Sequence, residues 1–215
     1  CPINFKFKLN MKKVLLSAVA LLAFGFANAQ EEEKGNGGFA KGDVFVSGAV
    51  TFGSAKKGDF KANAFEIAPK VGYFVTENIA VGASVGFQSL KFDNGAADAT
   101  NSGFGAGAFG RYYFTPASQF SLFAEFGANY MSYDNEFYVD TDGSLNAADF
   151  KSKEFGLQLG AGMNYFVSSN FSIEAGVGVL GYSSNDNGGN GADKTNTFSF
   201  GGDWRAVTFG VNYKF

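Results

Sequence analysis

Residues 79–87 read Ile-Ala-Val-Gly-Ala-Ser-Val-Gly-Phe, and this stretch decides the fold. Large apolar side chains such as Val81 and Phe87 fall on the odd positions, whereas the even positions hold only Ala, Gly and Ser. Alternation with a period of two is typical of a β-strand whose faces meet different surroundings. The stretch therefore predicts a strand with one apolar face and one face of small residues.

The same alternation recurs along the chain from residue 43 to its end. The predicted strands cover residues 43–53, 63–75, 79–91, 102–114, 120–133, 152–166, 171–183 and 203–215. The 30 glycines among 215 residues disfavour helices, because each Gly costs about 1 kcal/mol relative to Ala inside a helix. We therefore predict an all-β protein.

The connections between these strands alternate in length. Tight turns are predicted at residues 76–78, 115–119 and 167–170, and longer loops rich in Gly, Asn and Asp at 54–62, 92–101, 134–151 and 184–202. Short turns at one end and long loops at the other are required by an up-and-down barrel that crosses an outer membrane. An even number of strands then places both termini on the periplasmic side.

Polarity separates a membrane barrel from a soluble β-sandwich. The second face of the strands is poor in charge and rich in Gly, which suits the crowded interior of an eight-stranded barrel better than a surface in water. Aromatic residues on the first face cluster near both strand ends, as in the girdles at the two membrane interfaces. The fold class is therefore predicted to be all-β, a transmembrane up-and-down antiparallel β-barrel with eight strands.

The start of the chain carries the pattern of a secretory signal. Two lysines after Met11 precede an apolar run at 14–26 and a small-x-small site at 27–29, so residues 11–29 are predicted to be a signal peptide cleaved after Ala29. Residues 1–10 are interpreted as an over-long reading frame, 30–41 as a flexible leader, and 42–215 as the outer-membrane β-barrel domain. The predicted location is the cell outer membrane.

Composition excludes several function classes. The chain has no His, which removes the commonest general base and zinc ligand and any Ser-His-Asp system. Removal of residues 1–29 lowers Lys plus Arg from 17 to 13 against 20 acids, a net charge of −7, which is unsuited to nucleic acid. Residues 140–143 and 186–190 offer oxygen ligands without the spacing of an EF-hand. We expect no enzyme activity, no cofactor and no metal.

The signal peptide, the hairpin rhythm and the final segment 209–215 (Phe-Gly-Val-Asn-Tyr-Lys-Phe) resemble the small eight-stranded outer-membrane β-barrel family, which includes the membrane domain of outer-membrane protein A and short porin-like relatives. The resemblance implies that Val211, Tyr213 and Phe215 form the signal read by the barrel-assembly machinery. Alternatively, these residues only coat the last strand. The expected partners are this machinery, outer-membrane lipid and lipopolysaccharide; no surface partner is identified.

Charged side chains form the first group of candidate site residues. Six of them lie on the luminal phase of the predicted strands: Glu66, Lys70, Arg111, Glu125, Glu174 and, near the periplasmic rim, Lys214. Isolated charges in a lumen of low dielectric are costly, so they should pair or be hydrated. They form either a structural ion network that fixes register and plugs the lumen, or a gate or selectivity element in a narrow pore.

Aromatic side chains form the second group. Phe45, Phe74, Tyr113 and Phe166 fall on the luminal phase at the periplasmic ends of their strands, and they predict an aromatic plug. A plug disfavours a continuous open channel. We therefore expect a non-enzymatic barrel with a role in envelope integrity or surface interaction.

Two alternative functions stay open at this stage. The first is a narrow porin-like channel for small solutes or hydrophobic molecules. The second is an adhesin that acts through loop 134–151, where Phe137, Tyr138 and Val139 are interleaved among acids.

Overall fold

The computed structural model describes residues 37–93, 98–139, 145–188, 191–201 and 207–215. These residues form nine strand segments: β1 (Val44–Lys57), β2 (Phe60–Phe74), β3 (Ile79–Asp93), β4 (Asp98–Tyr113), β5 (Phe120–Val139), β6 (Leu145–Phe166), β7 (Phe171–Asn185), β8 (Thr195–Phe200) and β9 (Thr208–Lys214). No helix among the described residues is long and apolar enough to cross a membrane.

The strands close into a barrel. Each strand from β1 to β7 pairs antiparallel with its sequence neighbours. β8 and β9 pair with opposite ends of β7, so together they form the eighth strand. β9 also pairs with residues 45–49 of β1, which closes the sheet. The predicted eight-stranded up-and-down antiparallel barrel is confirmed.

The two faces of the strands differ as the alternation predicted. On β3 the outward Val81 and Val85 are 43% and 46% exposed, whereas the inward Ala80 is completely buried. Exposed apolar side chains occur around the outside of the barrel, among them Val46, Val71, Leu122, Phe126, Met163 and Ile173. Continuous apolar surface of this kind is unfavourable in water and is stable against hydrocarbon. The outside is therefore built for lipid.

One end of the barrel, which we call the turn end, carries the short connections 75–78, 114–119 and 167–170. Their backbones close tightly; the Val75 N–H, for example, donates to the Ile79 carbonyl at 2.9 Å. The chain terminus also lies there, since the Phe215 N–H donates to the Val44 carbonyl at 2.9 Å. The positions predicted for the tight turns are confirmed to within one residue.

At the opposite end, the hairpin end, the strands are longer than predicted. β1 and β2 meet in a two-residue turn at Gly58 and Asp59, and Gly58 has a φ of 62°, a left-handed conformation that favours glycine. β5 continues to Val139 and β6 begins at Leu145. The predicted loops 54–62 and 134–151 are therefore wrong in extent, because ladder hydrogen bonds carry the pairing through Lys, Asn and Asp residues that give no strand signal.

The eighth strand also differs from its prediction. Instead of one strand over 203–215, the structure has β8 and β9, and residues 202–206 lie outside the described part of the chain. β8 falls within the loop predicted at 184–202, because it pairs with the hairpin end of β7. The start of this strand segment is therefore set by its pairing with β7, and the local amino-acid composition does not indicate it.

Inward glycines make room for aromatic rings inside the barrel. A Cβ at Gly82 would lie 2.6 Å from Cζ of Phe109 and would also overlap the carbonyl oxygen of Val71. Gly72 faces the ring of Phe45 in the same way. A narrow barrel thus holds large rings only where the facing strand has no side chain.

We expect Gly82→Val to destabilise the barrel by about 1–3 kcal/mol, because the added methyl groups overpack a filled interior. The matched control is Gly110→Val, since a Cβ at Gly110 meets no atom within 4 Å. Unfolding by urea in lipid vesicles, followed by heat-dependent gel mobility, measures both variants. Equal urea resistance of the two variants would contradict the packing argument.

Candidate functional site: a luminal ion network above an aromatic plug

Arg111 is the centre of the lumen. It lies on β4 directly opposite Glu125 of β5, and its side chain is 1% exposed. The Arg111 Nε donates to Glu125 Oε2 at 2.9 Å, and Nη2 donates to the same oxygen. Because both residues point inward from paired positions, the register of β4 and β5 forms this ion pair.

A second carboxylate reaches Arg111 from across the lumen. Glu174 of β7 accepts hydrogen bonds from Arg111 Nη1 at 2.6 Å and from Nη2 at 3.2 Å. Lys70 of β2 donates to the remaining Glu125 oxygen at 2.6 Å. Two cations therefore balance two carboxylates, so that four strands of the barrel are joined by one ion network.

Neutral groups complete the solvation of this network. The Arg111 Nη1 donates to the Tyr113 hydroxyl at 2.9 Å, and the Asn212 side-chain amide donates to Glu174 at 3.1 Å. The guanidinium carbon lies 4.0 Å from the ring centroid of Phe123. Paired charges, hydrogen bonds and a cation–π contact together offset the cost of removing Arg111 from water.

The structure brings together four of the six charged residues predicted for the lumen: Lys70, Arg111, Glu125 and Glu174. Glu66 is apart from them and lines a cavity towards the hairpin end. Lys214 lies at the turn end, where its Nζ is 3.5 Å from Asp43 and donates to the Gly38 carbonyl at 2.7 Å. Glu66 and Lys214 are thus luminal without being members of the network.

An aromatic plug fills the turn end below the network. The four residues predicted for it, Phe45, Phe74, Tyr113 and Phe166, are each no more than 1% exposed. Their rings meet around a fifth ring, Phe39, with centroid distances of 4.7 Å to Phe74 and 4.9 Å to Phe166. These five rings are part of one buried cluster.

Sequence reasoning missed three inward rings. Phe109 and Phe123 contact Arg111 from the luminal face, and their even spacing from Arg111 and Glu125 was a usable signal. Phe39 gave no such signal, because it stands alone among glycines in the segment predicted to be a flexible leader. Phe39 is 2% exposed because it packs against rings on four strands at the mouth of the barrel, and the local sequence does not indicate these contacts.

Among the described residues, the lumen contains empty space towards the hairpin end. A cavity of about 430 Å³ lies above the network and is lined by polar side chains that include Glu66, Gln88, Asn129 and Glu154. A second cavity of about 230 Å³ runs beside the network, along residues of β1 and β9. Water and small solutes therefore have space down to the level of Lys70 and Glu174, which line the second cavity.

The residues predicted as the assembly signal lie at the outer surface of β9. Phe215 is 70% exposed, and its ring meets that of Tyr213 at 5.0 Å in an edge-on contact. Val211 lies opposite Ile173 of β7. Their position on the lipid face is compatible with both interpretations of this segment, and its recognition by the assembly machinery stays a prediction.

In the hairpin formed by β5 and β6, one of the aromatic residues, Phe137, is not exposed at the surface. Phe137 is 5% exposed and packs edge-on against Phe92 at 4.8 Å. Its N–H donates to the Asn101 side-chain oxygen at 3.2 Å, which ties the hairpin to β4. The expectation that Phe137 belongs to a binding surface is therefore wrong, whereas residues 140–144 lie outside the described residues.

Polar contacts order the neighbouring connection. Asp186 accepts hydrogen bonds from the N–H groups of Lys153 at 2.8 Å and Gly188 at 3.2 Å, and these lower the pKa of its carboxyl group. The predicted loop 184–202 is thus anchored to β6. Across the described residues, no three His, Cys, Asp or Glu side chains are grouped so as to hold a metal ion.

A closed eight-stranded sheet, a lipid-facing exterior and a polar lumen define a β-barrel of the outer-membrane class. Residues 16–215 match the family described as outer membrane protein beta-barrel domain, and the chain belongs to this family. The protein is accordingly located in the outer membrane. A comparison with curated proteins found no match.

The chain is similar to several solved structures. Neisserial surface protein A is 19% identical with a TM-score of 0.50, covering 81% of this chain and 100% of that chain. The outer membrane protein OprG from Pseudomonas aeruginosa is 17% identical with a TM-score of 0.48, covering 83% and 98%. The attachment invasion locus protein Ail of Yersinia pestis is 17% identical with a TM-score of 0.43, covering 81% and 99%. At 19% identity, the likeness to Neisserial surface protein A extends to the fold alone.

We expect Arg111→Ala to destabilise the barrel by about 3–5 kcal/mol, because the half-buried Glu174 loses its cation and the buried Glu125 keeps only Lys70. A control, Lys61→Ala, removes an exposed ion pair with Asp93 (3.6 Å) and should cost about 0–1 kcal/mol. The measurement is the midpoint of urea unfolding in lipid vesicles. Combining Arg111→Met with Glu125→Gln and Glu174→Gln should recover part of the loss; an undiminished urea resistance of Arg111→Ala would show that the network does not hold the barrel together.

Proposed function

We propose that this protein is a non-enzymatic outer-membrane scaffold whose closed lumen blocks free passage, so that it supports envelope integrity and displays its hairpins at the cell surface. The observation that carries the proposal is the aromatic plug, which fills the cross-section of the barrel at its turn end. Arg111, Glu125 and Glu174 bridge the lumen, and the five-ring plug lies directly below them. A barrel built to conduct would keep this cross-section open.

The side-chain inventory supports the non-enzymatic part of the proposal. The chain has no His, so a nucleophile would lack the base that usually activates it. The ionisable groups at the centre of the lumen are paired with each other, and Arg111 and Glu125 are buried. Ionisable groups that are held in ion pairs stabilise the fold, and they are poorly placed to take up or release a proton.

The orientation follows from the two ends of the barrel. The turn end, with the chain termini of the barrel, would face the periplasm, and the hairpin end would face the exterior, as in other outer-membrane barrels. Export through the inner membrane would use the signal peptide at 11–29, cleaved after Ala29, and assembly would use Val211, Tyr213 and Phe215.

Lipopolysaccharide is the surface partner that the charges favour. Lys56 and Lys61 are cross-strand neighbours next to the β1–β2 turn, Lys57 follows, and all three are exposed. Ammonium groups at this height would meet the phosphates of the outer leaflet. The apolar exterior below them would contact the lipid chains.

A narrow, gated channel is the second candidate, and the cavities favour it. The 230 Å³ cavity passes beside the ion network and is lined by Lys70 and Glu174. Rearranged ion pairs would widen this space and change its charge. In this case the network is a gate and not only a structural element.

Conductance through the purified full chain in a planar bilayer separates the two candidates. We expect the wild-type protein to show no steady conductance, because the plug closes the turn end. The variant that combines Arg111→Met, Glu125→Gln and Glu174→Gln should stay equally silent if the network is structural. Steady wild-type conductance would refute the closed scaffold, and conductance in the triple variant alone would favour the gate.

A further inference from the structure

The plug contains one ring that does not belong to the barrel wall. Phe45, Phe74, Tyr113 and Phe166 all lie on barrel strands, whereas Phe39 lies on residues 37–43, which precede β1 and which we call the strap. The Phe39 ring contacts all four, at centroid distances from 4.7 to 5.4 Å. The central piece of the plug is therefore carried by a segment outside the sheet.

The strap is held in the mouth of the barrel by a small set of polar contacts, two of which involve Asp43: the Phe74 N–H donates to the Asp43 carbonyl at 2.9 Å, and Lys214 Nζ lies 3.5 Å from the Asp43 carboxylate. The Phe39 N–H donates to the Pro116 carbonyl at 2.7 Å, and the Gly42 N–H donates to the Phe74 carbonyl at 2.9 Å. Lys214 Nζ donates to the Gly38 carbonyl at 2.7 Å. A barrel strand, in contrast, is held by a ladder on each side, so the strap is separable without loss of a strand.

The first two strap residues fit beneath the turns only because they are glycines. A Cβ at Gly38 would lie 2.6 Å from the backbone of Ala117, and one at Gly37 would lie 2.5 Å from Ser168 O. These neighbours are backbone atoms of tight turns and are unable to yield as a side chain would. Any larger residue at these positions therefore displaces the strap from the mouth.

Buried polar groups adjoin the plug on the inner side. The side-chain amide of Asn164, the hydroxyl of Ser172 and the side-chain oxygen of Asn212 have no hydrogen-bond partner within the described protein. Ser172 lies opposite both Asn212 and Phe166, so these groups are next to a ring that touches Phe39. Polar atoms enclosed in this way favour contact with water.

A cavity that can hold water approaches the plug from the side of the hairpin end. The 230 Å³ cavity is lined by Ser47, which lies opposite Asn212 and two residues from Phe45 on the same strand face. Phe45 in turn contacts Phe39 at 5.4 Å. From the hairpin end, the lumen is thus hydratable past the ion network to the level of the plug.

We propose that the strap is a displaceable stopper: withdrawal of Phe39 from the turn end, without any change of strand pairing, opens the lumen to small hydrated ions. The inference rests on the proposed closed lumen and identifies the part that closes it. Displacement gives water access to Asn164, Ser172 and Asn212, so the cost of exposing aromatic rings is partly offset by hydration of polar atoms.

The test compares full-length variants in planar bilayers. Phe39→Ala removes the ring, and Gly38→Val displaces the strap while every barrel residue is kept. Their matched controls lie on the lipid face of β4: Phe104→Ala, where the ring is 62% exposed, and Gly110→Val, where a Cβ has free space. We expect several-fold larger time-averaged conductance for Phe39→Ala and Gly38→Val, and wild-type behaviour for both controls.

Heat-dependent gel mobility first establishes that each variant is folded. If Phe39→Ala does not fold, Gly38→Val decides alone, and failure of Gly38→Val to fold would overturn the inference because a removable stopper is not needed for folding. Folded strap variants as silent as the wild type would overturn it too, and would leave the closed scaffold intact. Steady conductance of the wild-type protein would instead contradict the closed scaffold. In that case the stopper is supported only if the strap variants have a larger time-averaged conductance than the wild type, and it is overturned if they do not.

Discussion

The interior of this barrel depends on the burial of a single guanidinium group. The Arg111 guanidinium is removed from water, and its contacts with water are replaced by protein groups: Glu125, Glu174, the Tyr113 hydroxyl and the ring of Phe123. Each partner comes from a fixed place on the sheet, so the exchange succeeds only if the strands are in one register. A shift by one residue would turn these charges towards lipid, where no partner exists. Formation of the ion network therefore requires the observed register of the four strands that it joins.

Packing below the network follows a second rule, complementarity between rings and glycines. Eight strands leave an interior only just wide enough for side chains, so a large ring on one strand requires a glycine on its neighbour. Gly72 beside Phe45 and Gly82 beside Phe109 satisfy this requirement. At the turn end a further ring, Phe39, enters from outside the sheet and packs against Phe74. The plug at the turn end is thus built from residues of two kinds, four rings on barrel strands and one ring on the strap.

In this arrangement, the stability of the barrel and the closure of its turn end depend on different parts of the chain. In the proposed function, stability comes from continuous ladders, the lipid-facing exterior and the ion network, whereas closure at the turn end depends in part on a short segment outside the sheet. Membership of the outer membrane β-barrel family accounts for the first property. The second depends on the particular residues of the strap and of the rings that it contacts.

Alternation such as that of residues 79–87 was enough to predict the all-β fold, the eight-stranded barrel and the direction of its faces, because the period of two is a property of the strand itself. The inward phase of Arg111 and of Phe45 followed from the same periodicity. The tertiary structure alone decided which charges meet, since Glu174 reaches Arg111 across the lumen and Glu66 does not. It also decided the length of the hairpins, the inward turn of Phe137 and the burial of Phe39. These depend on strand register and on the shape of the barrel mouth, which arise only when distant segments are brought together.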